Sequence, residues 1–186
     1  MDIDTFVSRS LGQWRSQRSA HHLAFAHFEE VRSTIDIEPL AMDDPAVLAL
    51  CESQGFDAGA IASPFKMSWE GESDWDEDDV LKGQTILVPV PDREALEKGN
   101  HIGKLLRDQG YAETVPAAGR YVIQPDGTFV LTTGYDRAAA EEKIWFATDN
   151  LRFRVSLIKT GDGKGVTTSS FSSELRLPKK TAEKEI

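Results

Sequence analysis

Polar and apolar side chains alternate along most of this chain, the period of a half-buried strand. Met67 and Trp69 share one face of such a stretch, and in another Leu151, Phe153, Val155 and Leu157 alternate with Arg152, Arg154 and Ser156. Strands are predicted near residues 13–28, 33–40, 65–71, 84–90, 103–113, 119–124, 128–133, 141–148, 151–159 and 165–177. Turn chemistry separates them at Pro125-Asp126-Gly127, Asp149-Asn150 and Gly161-Asp162-Gly163. Two stretches keep a helical spacing instead. Ile3, Phe6, Val7 and Leu11, followed by Gly12 in the place of a C′ glycine, predict a plug helix over 2–11. Asp44-Pro45, an N-cap acceptor before a proline, opens a second helix over 45–54 that Gly55 ends. About ten sequential strands with short connections predict a mainly β fold, a single antiparallel up-and-down barrel with two short helices.

The length of 186 residues suits one domain, expected over 1–178, with the charged run 179–186 as a disordered tail. The sole cysteine, Cys51, excludes a disulfide framework and favours a reducing compartment; its setting Ala46-Val47-Leu48-Ala49-Leu50 makes it a small buried hydrophobe rather than a nucleophile. A net charge of −10 with scattered basic residues argues against nucleic acid, and no apolar run is long enough for a membrane span. His21 and His22 are adjacent, so on a strand they face opposite ways, and neither His27 nor His101 adds ligand spacing. No metal site is expected.

Gly12-Gln13-Trp14 near one end and Asn150-Leu151-Arg152-Phe153-Arg154 near the other resemble the opening and close of calycin barrels, the lipocalins and fatty-acid-binding proteins. That resemblance implies a tryptophan covering one end of the core, with a late arginine across its ring. A narrower resemblance covers residues 10–177. Trp14-x-x-x-Arg18-Ser19-x-His21-His22-Leu23-Ala24-Phe25, Met67-x-Trp69 with Trp75, Trp145-Phe146, Asn150-Leu151-Arg152-x-Arg154 and Ser170-Phe171-x-Ser173-Glu174-Leu175-Arg176 resemble the S-type (S/U-type) phycobiliprotein chromophore lyases. The resemblance implies a calycin barrel that binds a linear tetrapyrrole as substrate, without a prosthetic group. It also implies delivery of that bilin, phycocyanobilin or phycoerythrobilin, to a cysteine of a phycobiliprotein subunit, typically the central β-subunit site. A homodimer or a related second subunit, in the cyanobacterial cytoplasm or plastid stroma, is implied as well.

A bilin needs a flat apolar slot, guanidinium groups for its two propionates and an acidic partner for its pyrrole nitrogens. Arg18, Arg152 and Arg154 are candidates for the propionates, since guanidinium holds a carboxylate bidentately; Ser156 shares the face of Arg152 and Arg154. That face also reads as a solvated one, and one of the two arginines as stacking on Trp14. Met67 and Trp69 line the slot or belong to the ordinary core. Trp75, in a decade 70–79 with seven acidic positions, suggests a lid on the mouth or a solvated loop. One of His21 and His22 exchanges protons with the pigment while the other holds the sheet. Glu142 or Glu174 keeps the bilin protonated and extended, or pairs with Arg152, Arg154 or Arg176. The expected chemistry is thiol addition guided by proximity, orientation and proton control. Two other classes share the barrel: a bilin or lipid carrier without transfer, and a ligand-free assembly chaperone.

Overall fold

The computed structural model describes residues 1–74, 80–109 and 116–178. Ten strands follow one another round a closed antiparallel barrel: β1 (Gly12–His22), β2 (His27–Pro39), β3 (Phe65–Ser73), β4 (Val80–Pro91), β5 (Ile102–Arg107), β6 (Ala117–Ile123), β7 (Phe129–Gly134), β8 (Ala138–Thr148), β9 (Leu151–Thr160) and β10 (Val166–Arg176). β10 returns to β1, with Trp14 opposite Arg176 and His22 opposite Thr168, so no sheet edge is left open. The expected up-and-down barrel is the fold observed.

The expected strand 13–28 is two strands. β1 ends at His22, and a 3₁₀ turn, Leu23–Phe25, followed by Ala26 at φ 49° sends the chain back as β2. The apolar Leu23 and Phe25 continue the strand-like pattern but face solvent, Phe25 at 75% exposure. Pattern alone therefore carries the strand past its turn.

Helix α1 (Ile3–Ser10), capped by Asp2 on the Thr5 amide, buries Ile3, Phe6 and Val7 against Ile37, Phe65, Phe129 and Ile144 of the barrel. Phe6 stacks on Phe129 with centroids 4.3 Å apart. At Gly12, φ is +106°, so a side chain there would be strained and would approach the Arg176 guanidinium. Helix α2 (Pro45–Ser53) packs outside the barrel, where Val47, Leu50 and Cys51 join Val88, Val90 and Leu106 of β4 and β5. Cys51 is buried as expected, and that burial pushes its thiol up. A single further turn, α3 (Arg93–Glu97), is capped by Asp92; five residues are too few for a helical period to show in the sequence. The tail 179–186 and Trp75 lie outside the described residues.

Candidate functional site

Opposed residues of an antiparallel pair project to the same face. The register Ser16↔Glu174↔Arg152 therefore sets one layer inside the barrel, Arg18↔Ser172↔Arg154 the next, and Ala20↔Ser170↔Ser156↔Glu142 a third. The polar face of β9 is thus interior, not solvated: Arg152 is 1% exposed and Ser156 is buried. Leu151, Phe153, Val155 and Leu157 take the outer face, where the Phe153 ring lies 5.6 Å from both Trp145 and Phe171.

The lowest polar layer is structural in form. Arg152 stacks on Trp14 at 4.3 Å, Arg176 lies 4.2 Å from the same ring, and the Trp14 indole donates to the Ser10 carbonyl at 2.8 Å. Arg152 Nε donates to Glu174. Burial pulls the Arg152 guanidinium down to about 10, still charged at neutral pH. Burial pushes the Glu174 carboxyl up, but Arg154 and Arg152 outweigh it and hold the group below its ordinary range.

Above it, Arg154 Nε is 3.6 Å from Glu174 and its Nη1 3.7 Å from Glu142, while Arg107 Nη2 donates to Glu142 at 3.0 Å. Both glutamates therefore form the arginine pairs that the sequence offered as the alternative to a pigment contact. Toward the end remote from α1, Glu29 accepts from Ser73 Oγ at 2.7 Å, pairs with His22 Nε2 at 2.8 Å and lies 3.7 Å from Arg18. Burial raises the Glu29 carboxyl, but these hydrogen bonds and the Arg18 charge outweigh it and lower it.

His22 is the inward member of its pair. His21 is not in the interior: it stacks edge-on against Phe28, centroids 5.0 Å apart, on the outer face, because alternation from Trp14 leaves odd-numbered positions of β1 outside. Met67 and Trp69 are opposed to the inward Ile37 and Ile35, and both pack on the core. Gly83 lies opposite Trp69, and a Cβ there would stand 2.4 Å from the indole, so the ring occupies the space a side chain would need. A narrow cavity of about 40 Å³ separates α1 from Arg107, Glu142, Arg152 and Arg154.

The interior thus joins Arg18, His22, Glu142, Arg152, Arg154, Ser156, Glu174, Met67 and Trp69. Arg107, Glu29 and Ser73 belong with them and are absent from the sequence reading. Arg107 was visible as the polar end of the alternation Gly103-x-Leu105-x-Arg107. Glu29 fell in the gap left by the missed turn after His22. No group of three or more metal-binding side chains is found among the described residues.

A family model described as CpeS-like protein matches residues 2–177. The chain is 65% identical over 176 residues to chromophore lyase CpcS/CpeS 3 of Trichodesmium erythraeum, covering 95% of this chain and 99% of that one. It is 55% identical over 161 residues to a putative phycoerythrobilin lyase CpeS of Microchaete diplosiphon (86% and 70% covered). Identity to the phycocyanobilin lyase subunit CpcS of a Picosynechococcus strain is 36% over 182 residues (97% and 90%). The solved S-type phycobiliprotein lyase CPES from Guillardia theta superposes with a TM-score of 0.83 at 50% identity, over 97% of this chain and 95% of that one.

Proposed function

This chain belongs to the CpeS-like family, and from that premise we propose that it is a phycobiliprotein bilin lyase: it binds a linear tetrapyrrole and promotes its thioether attachment to a cysteine of a phycobiliprotein subunit. The observation that carries this reading is the barrel interior, where among the described residues four guanidiniums, of Arg18, Arg107, Arg152 and Arg154, gather beside Glu29, Glu142 and Glu174. Guanidiniums gathered inside a barrel suit a pigment that brings two propionates.

A cavity of about 40 Å³ is far too small for a tetrapyrrole, since pockets for such ligands run to roughly 300–1,000 Å³. With α1 filling one end, the pigment lies toward the other, over Arg18, His22 and Arg154. Their side chains are 16–30% exposed and reachable there. Met67 and Trp69 flank the conjugated rings. His22, held by Glu29, carries a proton to or from the pigment. The acceptor thiol adds across the vinylic group of ring A: a carbon–sulfur bond forms, the thiol proton passes to the pigment, and nothing leaves.

No bond between enzyme and pigment is required, and the chain's sole cysteine, packed between α2 and the barrel wall, is badly placed to make one. Binding must remain reversible. A ligand of roughly 40 heavy atoms at about 0.3 kcal/mol each would bind at about 12 kcal/mol, near nanomolar, so the ring A end carries the fewest contacts. The acceptor is proposed as the central β-subunit cysteine, and the compartment as the cytoplasm or plastid stroma. The outer row Trp145, Phe153 and Phe171 supports pairing with a second copy or related subunit there, which sedimentation would test.

The test is titration with phycocyanobilin and with phycoerythrobilin, followed by addition of an apo β-subunit and recovery of covalent adduct after denaturation. One thioether-linked bilin per subunit is expected, and the pigment that gives it identifies the substrate. Binding without transfer would make the protein a carrier; no spectral change with either pigment would overturn the reading.

A further inference from the structure

Three guanidiniums and two carboxylates form one buried cluster around the cavity: Arg107, Arg152 and Arg154 against Glu142 and Glu174. Glu142 is divided between Arg107 at 3.0 Å and Arg154 at 3.7 Å. Guanidiniums and carboxylates are thus interleaved in a place where burial makes every charge depend on its partners. Arg107 Nε, Arg152 Nη2 and Ser156 Oγ are buried with no hydrogen-bond partner among the described residues, and Ser156 stands opposite Glu142 in the β8–β9 register.

Arg107 is also fastened from behind. Its side chain is only 8% exposed, and its carbonyl accepts from Gln54 Nε2 at 3.2 Å beside α2. The next residue, Asp108, accepts from the Ile86 amide and Thr85 Oγ1 at 2.8 Å each. Such anchoring fixes the backbone that carries the guanidinium.

We infer that Arg107 is a pigment-binding residue: with Arg154 it forms a seat for one propionate of the bilin, Glu142 fixing the spacing of the two guanidiniums. This rests on the bilin-lyase reading above. The cavity has the size for a carboxylate arm and not for the rings, which keeps the tetrapyrrole above the charged layer while one arm reaches into it. A carboxylate placed there supplies acceptors for the donors that have none among the described residues.

The experiment compares a bilin with its dimethyl ester, in which both propionates are capped, on wild-type protein, on Arg107→Gln, and on the paired Arg107→Gln/Glu142→Gln, which leaves no carboxylate without its guanidinium should the single variant fold poorly. Wild type is expected to prefer the free acid by roughly a hundredfold, and loss of Arg107 to reduce that preference by roughly tenfold while ester affinity changes little. Equal binding of acid and ester by wild type, or an undiminished preference in both variants, would overturn the seat and leave the lyase reading standing. Failure of wild type to bind either form would overturn both.

Discussion

Arg152 lies across Trp14, its guanidinium carbon 4.3 Å from the ring, while Nε of the same group donates to Glu174. One side chain therefore joins the closed end of the barrel to the charged layer above it. Removing it takes from buried Glu174 its hydrogen-bonding guanidinium and leaves it with Arg154 at 3.6 Å, a change that costs about 3–5 kcal/mol. Arg152→Ala is expected to lower Tm by roughly 10 °C. Arg18→Ala, partly exposed and 3.7 Å from its partner, should cost less than about 1 kcal/mol yet lose most bilin transfer. Thermal melts and adduct yield, measured together, separate the two; equal loss of Tm in both variants would contradict this division.

The two histidines divide in the same manner. His22 pairs with Glu29 inside, and His21 packs on Phe28 outside. His22→Ala is expected to slow thioether formation by about tenfold or more, and His21→Ala to leave it near wild type. Initial rates with apo β-subunit decide this, and a slow His21→Ala would return that residue to the reaction.

How far the sequence foretold this arrangement depends on what each signal measures. The plug helix and the barrel were legible because they follow from spacing, and the closure of Trp14 by a late arginine because the resemblance to calycin barrels implies it. The interior was harder to read, because in β9 the usual rule is inverted: Arg152, Arg154 and Ser156 point in, while Leu151, Phe153, Val155 and Leu157 point out. Only the family resemblance outweighed the expectation of a solvated face. The turn at Leu23–Phe25 escaped because its apolar residues are exposed, and Glu29 was lost with it. Nothing local marks Glu142 as a shared partner; that depends on β5 and β8 meeting across the barrel.

Trp69 can be moved without being replaced. A methyl group at Gly83 would stand 2.4 Å from the indole, so Gly83→Ala must shift the ring or bend β4. Overpacking of this kind costs about 1–3 kcal/mol. The expected result is a folded protein with shifted tryptophan emission and weakened bilin binding, read by fluorescence and absorbance titration. Bilin binding at full strength despite a displaced ring would remove Trp69 from the slot.

The acid limb of the stability curve tests which force governs the buried carboxylates. Desolvation alone would raise Glu29 and Glu174 above their ordinary value of 4.5, and the protein would then gain stability from them as pH falls. Their arginine, serine and histidine partners instead hold both below it. A lowered acid stabilises the fold fully above its unfolded value and gives that up as pH drops through the folded one. Tm should therefore be flat in this contribution above pH of about 5 and fall below about 4.5. Glu174→Gln, less stable at neutral pH, should have the shallower acid limb, because it has no such proton to take up. If Glu174→Gln instead falls more steeply than wild type, burial outweighs the arginines and the charged layer is held together by something other than its ion pairs.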